Sequence, residues 1–226
     1  MKDKENKLRL TTKAAEITDG ILEKTLPYLT SGISEKAIAE IIVALTKKAG
    51  CKLSFPPVVA FGRWSAYPHH KPIRRKLRKN DLVLIDLGAK YKGYCADLTR
   101  MFTFGKLKSD QEKLLRIVLA AQKYMMKIIR PGMGYREADV LVRKYFQTRG
   151  VEPKLIRHGL GHGIGRQVHT GFVLSVKAKS DGKLKTGDIF TIEPGLYIKG
   201  VGGVRIEDTV LLTKNGIKPL TKFPKY

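Results

Sequence analysis

Lys79-Asn-Asp-Leu-Val-Leu-Ile-Asp-Leu-Gly88 and Thr186-Gly-Asp-Ile-Phe-Thr-Ile-Glu-Pro-Gly195 are two versions of one segment. Asp81 matches Asp188, Ile85 matches Ile192, Asp86 matches Glu193 and Gly88 matches Gly195; further on, Asp97-Leu-Thr99 matches Glu207-Asp-Thr209. Short apolar, β-branched runs bounded by turn residues read as strands. Ahead of each copy, Gly32 with Gly50 and Gly132 with Gly150 bracket a helical stretch at the same separation. An offset of about a hundred residues is too long for a solenoid repeat and predicts a pseudo-two-fold domain. The expected class is α+β: duplicated helix–helix–strands halves, about 1–105 and 106–226, around a mostly antiparallel sheet, within a single domain of residues 1–226.

Outward from these segments, Leu10, Ala14, Ile17, Ile21 and Leu22 recur at helical spacing, and Pro27 marks the end of a first helix. Ser34 is the expected N-cap of a second helix with the stripe Ile38, Ile41, Ile42 and Leu45. Residues 55–61, 81–86 and 98–104 read as strands, with Gly88–Gly93 as the turn between the latter two. Ser109-Asp-Gln-Glu112 has the form of a capping box opening a third helix that runs to about Ile129 and stops at Pro131-Gly132. A fourth helix is expected over Arg136–Thr148, and strands over 188–193 and 203–212.

Of 226 residues, 42% are hydrophobic and 28% charged, a mix that excludes wholesale disorder. No apolar run is long enough to span a membrane, and the polar Met1-Lys-Asp-Lys-Glu-Asn-Lys start lacks the apolar core of a signal peptide. Cys51 and Cys95 are too few for a disulfide framework, so a reduced cytoplasm is the expected location. Lys and Arg total 44 against 20 Asp and Glu, a net +24. The excess runs through both halves, which predicts non-specific attraction to polyanions such as nucleic acid or ribosomes. Its densest stretch is Lys71-Pro-Ile-Arg-Arg-Lys-Leu-Arg-Lys79, where no aromatic is interleaved for base stacking.

A two-fold sets equivalent residues face to face, and here those are carboxylates: Asp86 against Glu193, Asp97 against Glu207. Four acids flanked by Ile and Val cannot all ionise in an apolar interior without compensation. Divalent cations would supply it. Oxygen-rich donors with one imidazole suit Mn²⁺, Co²⁺, Fe²⁺ or Zn²⁺, and shared carboxylates suit a pair of ions. Arg157-His-Gly-Leu-Gly-His-Gly-Ile-Gly-Arg-Gln-Val-His169 offers the imidazole. Its glycines permit close backbone approach. A phosphate loop would need a Gly-Lys-Ser/Thr ending and a strand-to-helix setting, and this stretch has neither. His162 is the candidate ligand, with His169 seven residues on along the same side of an extended segment.

The chain resembles the pita-bread metallopeptidases, which include methionine aminopeptidases, Xaa-Pro aminopeptidases and Xaa-Pro dipeptidases (prolidases). Residues 85–100, His-Gly-Leu-Gly-His-Gly-Ile-Gly (158–165), Phe-Thr-Ile-Glu-Pro-Gly-Leu-Tyr (190–197) and Gly-Val-Arg-Ile-Glu-Asp (203–208) carry the resemblance. It implies a pita-bread fold with a curved sheet and two divalent ions, Mn²⁺ or Co²⁺ ahead of Fe²⁺ or Zn²⁺. Asp86 would hold one ion, His162 and Glu193 the other, with Asp97 and Glu207 shared. It further implies Glu193 as proton relay, His69 and His169 as donors to substrate and oxyanion, and Arg205 as the partner of a ligand carboxylate.

Gly-Tyr-Cys-Ala-Asp-Leu-Thr-Arg (93–100), the short gap between Glu193 and Glu207, and Ser65-Ala-Tyr-Pro-His-His70 resemble the Xaa-Pro branch. The implied substrate is a short peptide or polypeptide N-terminus with proline second. Arg166-Gln-Val-His-Thr170 departs from the branch's usual Leu-Asp-Val-His-Glu. The N-terminal domain usual in that branch is expected to be absent. Methionine aminopeptidase action on nascent chains and a non-catalytic pita-bread binding module are the alternatives. Cys95 reads as packing, and the oligomeric state stays open.

Overall fold

The structure, a computed structural model, describes residues 2–180 and 182–225, with side chains from Glu5 onward. Helices α1 (Lys2–Thr25) and α2 (Glu35–Lys48) precede the strands β1 (Lys52–Leu53), β2 (Val58–Phe61), β3 (Asp81–Leu87), β4 (Ala89–Tyr91), β5 (Tyr94–Cys95) and β6 (Leu98–Phe104). Helices α3 (Ser109–Ile128) and α4 (Tyr135–Gln147) precede β7 (Gly161–His162), β8 (Val173–Leu174), β9 (Ile189–Ile192), β10 (Gly195–Ile198), β11 (Gly202–Arg205), β12 (Asp208–Thr213) and β13 (Gly216–Pro219). The strand pairs are antiparallel: β2–β3–β6 in the first half, β9–β12–β13 in the second, with smaller ribbons beside them. α1 and α2 pack on the strands of the first half, α3 and α4 on those of the second. Among the described residues, no helix is long and apolar enough to cross a membrane.

The duplication is visible bond by bond. Gly32 N donates to Leu77 O and Leu77 N to Ile33 O; Gly132 N donates to Leu184 O and Leu184 N to Met133 O. Isolated bridges Ser34–Lys76 and Gly134–Lys183 repeat the pattern. Each half therefore ties the start of its second helix to the loop that enters a strand of its main sheet, β3 in the first half and β9 in the second.

Local chemistry explains where the elements begin. Ser34 Oγ accepts from Ala37 N at 3.1 Å, as its N-cap position requires. The capping box of α3 lies one residue earlier than expected. Lys108 occupies the N-cap, and its N–H donates to Gln111 Oε1 at 3.2 Å, so Gln111 rather than Glu112 is the box partner. The strand expected from Phe55 begins only at Val58, because Pro56 and Pro57 have no N–H for the ladder. The expected Gly88–Gly93 turn shrinks to Lys92 and Gly93, both at positive φ (45° and 87°), and Ala89–Tyr91 becomes strand β4. A two-residue turn of that handedness matches strand twist. The single strand expected over 203–212 breaks at Ile206–Glu207. β11 pairs with β10 and β12 turns to pair with β9, which leaves Glu207 free of both ladders.

A buried ion pair locks the C-terminal segment beneath this break. Arg100 Nη2 donates to Asp208 Oδ1 at 2.6 Å, and its Nε donates to the carbonyls of Phe223 (3.1 Å) and Pro224 (3.0 Å). Thr221 Oγ1 and Gln122 Nε2 also donate to Asp208. Arg100→Ala leaves Asp208 buried with only Lys225 as a cationic partner. The expected loss is about 3 kcal/mol or more in a urea titration, since removing one partner strands the other charge.

Candidate active site

Asp86, Asp97, Glu193, Glu207, His69, His162 and His169 all line one cleft of about 690 Å³ between the two halves. Asp86 sits near the end of β3, Asp97 just before β6, Glu193 just after β9 and Glu207 at the break between β11 and β12. His162 comes from β7, His69 from the loop before β3 and His169 from the loop between β7 and β8. Ligand atoms of Asp97, His162 and Glu207 lie within 4.8 Å of one another. His162 Nε2 is 3.6 Å from Asp97 Oδ2 and 3.4 Å from Glu193 Oε1.

The glycines of 157–169 do what close approach demands. A Cβ at Gly161 would overlap the carbonyl oxygen of Thr191, and one at Gly163 that of Thr170. They let β7 lie flat against β9, where Glu193 N donates to Leu160 O at 2.8 Å and Ile164 N to Ile189 O at 3.0 Å. That contact brings His162 alongside Glu193.

The two halves meet through a pair of threonines. Thr99 Oγ1 donates to Glu207 Oε2 at 2.6 Å; its repeat mate Thr209 accepts from Asp97 N at 2.9 Å and donates to Asp97 O at 2.8 Å. Each half thus holds the other's carboxylate residue. The symmetry is imperfect: Asp86 stands opposite Thr99, whereas continuing the β9–β12 register sets Glu193 opposite Glu207. Arg205 ties the cluster together. Its Nη2 donates to Asp86 Oδ2 at 2.5 Å, its Nε to Thr99 Oγ1 at 3.0 Å and its Nη1 to Tyr197 Oη at 2.8 Å. Tyr197 Oη also meets His158 Nε2 at 2.7 Å, and His158 Nδ1 lies 3.8 Å from Glu193 Oε2.

Burial pushes the Asp97 carboxyl well above its ordinary range, with Glu207, Asp86 and Glu193 adding to it. Glu207 rises likewise, through burial and then Glu193 and Asp86. Glu193 is raised to about 7, chiefly by burial, with Arg205 opposing. His162 is lowered to about 3 by burial and then His169, and His158 to about 4 by burial and then Arg205. His169 is lowered by burial and then by His69 across the cleft. Its ring stands edge-on to His162, with centroids 3.9 Å apart.

These donors fit divalent cations. Asp86 Oδ1 and Asp97 Oδ1 are buried without any hydrogen-bond partner, although buried polar atoms almost always have one. His162 Nδ1 faces Gly163 O at 3.3 Å, which assigns the proton to Nδ1 and leaves a lone pair on Nε2. That lone pair points at carboxylate oxygens. Acceptors gathered around acceptors are accounted for by a cation between them.

Thr99, Thr209, Tyr197 and His158 carry no role in the sequence reading. The threonines were legible, since they close the matched triplets Asp97-Leu-Thr99 and Glu207-Asp-Thr209. Tyr197 and His158 gave no comparable signal, because their partnership spans 39 positions. His70 was equally silent. Its Nε2 lies 2.8 Å from Oε2 of the fully buried Glu35, whose carboxylate also accepts from Phe61 N and Ile73 N. This anchors the loop that carries His69. Arg75 is drawn out of the basic run by a bidentate pair with Asp81, at 2.7 and 2.8 Å.

An uncharacterized peptidase of Staphylococcus aureus is 36% identical over 98% of this chain and 62% of its own length. The Xaa-Pro dipeptidase of Bacillus anthracis superposes with a TM-score of 0.94 at 36% identity, over 98% of this chain and 62% of that one. A prolidase from Pyrococcus horikoshii gives 0.93 at 37% identity, over 98% and 63%. The chain thus spans somewhat less than two thirds of the length of these relatives. The model of metallopeptidase family M24 matches residues 9–214. With the duplicated halves, the converging carboxylates and His162 all in place, the chain belongs to metallopeptidase family M24 and has its pita-bread fold.

Proposed function

We propose that residues 1–226 form one pita-bread catalytic domain, with halves about 1–105 and 106–226, of a peptidase that cleaves after an N-terminal residue followed by proline. The reaction would be of the aminopeptidase P or prolidase type, in the cytoplasm. The observation that carries this reading is the cleft of carboxylates in which Asp86 Oδ1 and Asp97 Oδ1 lack partners beside the neutral His162. The neighbours named Xaa-Pro dipeptidase and prolidase support the proline preference. Asp86, Asp97, His162, Glu193 and Glu207 would hold two divalent ions, Mn²⁺ or Co²⁺ first. Such a pair, when bound, activates water and polarises a scissile carbonyl.

The chain's own residues supply the rest. Arg205 and Thr99 hold Asp86 and Glu207 so that the carboxylates keep one geometry. Glu193 takes a proton at the oxygen facing His158 and passes it towards the leaving amine. His169 and His69, on the cleft walls, donate N–H groups to the substrate carbonyl as negative charge develops on it. Release from Xaa-Pro, Xaa-Pro-Xaa and Met-Ala-Ser peptides with added Mn²⁺ or Co²⁺ tests this reading. Turnover of Met-Ala-Ser alone would replace it with methionine aminopeptidase action; metal uptake without hydrolysis of any peptide would leave a binding module.

The net +24 also supports weak, non-specific nucleic-acid association. Among the described residues, the strands and loops over 52–108 and 154–225 expose many lysines and arginines and no fully exposed acid. Most of the described acids there lie in the cleft or in buried pairs. Retention on RNA at low salt is expected, with steep salt dependence. Reversing Arg74, Lys76 and Arg78 to Glu, with paired Arg75 left alone, should lower the log–log salt slope by about 2–3. A wild-type protein that flows through at low salt would remove this association.

A further inference from the structure

The two loops that flank the cleft are mates under the pseudo-two-fold, and both are basic. Residues 69–79 run from His69 on the cleft wall to the Lys76–Leu77 contact with α2. Residues 177–185 run from Lys177 on the opposite side to the Lys183–Leu184 contact with α4. The first carries Lys71, Arg74, Arg75, Lys76, Arg78 and Lys79 and no acid; the second carries Lys177, Lys179, Lys183 and Lys185 against Asp181 alone. Among the described residues, Arg75 is paired with Asp81, and the other bases are exposed.

Lys71 and Lys177 reach the cleft lining itself. The cleft's third cation, Arg205, is buried and committed to Asp86. A smaller hollow lined by Thr170, Phe172, Lys177 and Lys179 opens beside His169, extending the cleft along one basic loop. The polarity is thus layered. Acids lie at the floor, where divalent ions would offset them, and exposed bases lie at the mouth on both sides.

We propose that this rim selects peptides bearing acidic side chains on the portion that leaves, downstream of the scissile bond. The inference rests on the peptidase reading above. A peptide threaded N-terminus first lays its downstream residues across the mouth. Clefts whose mouths carry one sign of charge concentrate ligands of the opposite sign and raise their association rate, an effect that salt screens. Aspartates or glutamates there meet Lys71 and Lys177; lysines there are repelled by both loops.

The test uses three amidated peptides, Ala-Pro-Ser-Asp-Glu, Ala-Pro-Ser-Ser-Ser and Ala-Pro-Ser-Lys-Lys, in hydrolysis with Mn²⁺ and in a parallel binding titration by fluorescence anisotropy. The expected ranking is acidic over neutral over basic. The acidic and basic peptides should differ by about tenfold in kcat/KM and in affinity at 20 mM salt and by less than about twofold at 0.5 M. Arg74→Glu with Lys179→Glu should invert the ranking. Lys113→Glu with Lys123→Glu, an equal change of charge on exposed α3 positions, should leave it standing.

Acidic preference in binding with no hydrolysis of any peptide supports the rim while sinking the peptidase reading. Equal handling of the three peptides overturns the rim. So does an equal effect of the loop and α3 reversals, which would assign the preference to net charge. A gain from a free terminal carboxylate on the neutral peptide, without any gain from Asp-Glu, also overturns it.

Discussion

If the proposed activity holds, chelation of divalent ions is expected to abolish hydrolysis of Xaa-Pro peptides, and Mn²⁺ or Co²⁺ to restore it. Asp97→Ala and Glu207→Ala are each expected to lower kcat/KM by about 10³-fold or more, because each would remove a carboxylate proposed to be shared and with it the proposed paired site. Both residues sit where the halves meet: Thr99 Oγ1 donates to the Glu207 carboxylate, and Thr209 Oγ1 bonds the backbone N–H and carbonyl of Asp97. Neither substitution can therefore be compensated from within one half. Full turnover in a chelated sample would end the metallopeptidase mechanism.

The same cluster makes a thermal prediction. In metal-free protein, Asp97, Glu207 and Glu193 titrate above their unfolded values, so their native forms hold more protons than the unfolded chain; His158, His162 and His169 titrate below theirs and oppose this where the unfolded histidines ionise. Stability from these groups is fully present below the ordinary carboxylate range and is lost as pH rises through the folded values, about 7 for Glu193. The Tm of chelated protein should thus fall between about pH 6.5 and pH 8, above the range in which the depressed histidines offset the carboxylates, and Mn²⁺ should reverse the fall. A chelated Tm that rises over that interval would show the carboxylates compensated by protein groups alone.

The second large effect separates the histidines. His162→Ala lowers metal occupancy, because Nε2 is the donor aimed between Asp97 and Glu193. His169→Ala and His69→Ala retain metal but lower turnover by about 10²- to 10³-fold, the scale of a lost oxyanion donor. His169 packs against the His162 ring from the open side of the cleft, so its removal leaves the carboxylates as they were. Metal analysis beside steady-state kinetics decides the matter. Loss of metal in His169→Ala, with retention in His162→Ala, would exchange the two roles.

Much of this site was legible before any coordinates. The repeat Asp81…Gly88 and Asp188…Gly195 marks equivalent strands of two halves, β3 and β9. Two-fold symmetry then brings Asp86, Asp97, Glu193 and Glu207 to one seam, and the glycines of 157–169 mark where a strand must lie close to its neighbour. These features are local or periodic: alternation along a strand, a residue type without a Cβ, a spacing repeated once. What the tertiary structure alone decided are partnerships between side chains far apart in sequence. Arg205 reaching both Asp86 and Thr99, Tyr197 linking Arg205 to His158, Glu35 holding His70, and Arg75 leaving the basic run for Asp81 depend on which long side chain finds which buried acceptor. The break at Ile206–Glu207 belongs with them. An unbroken strand satisfies the local pattern of 203–212, and only pairing with two different partners, β10 and β9, turns Glu207 out of the ladder and into the cleft.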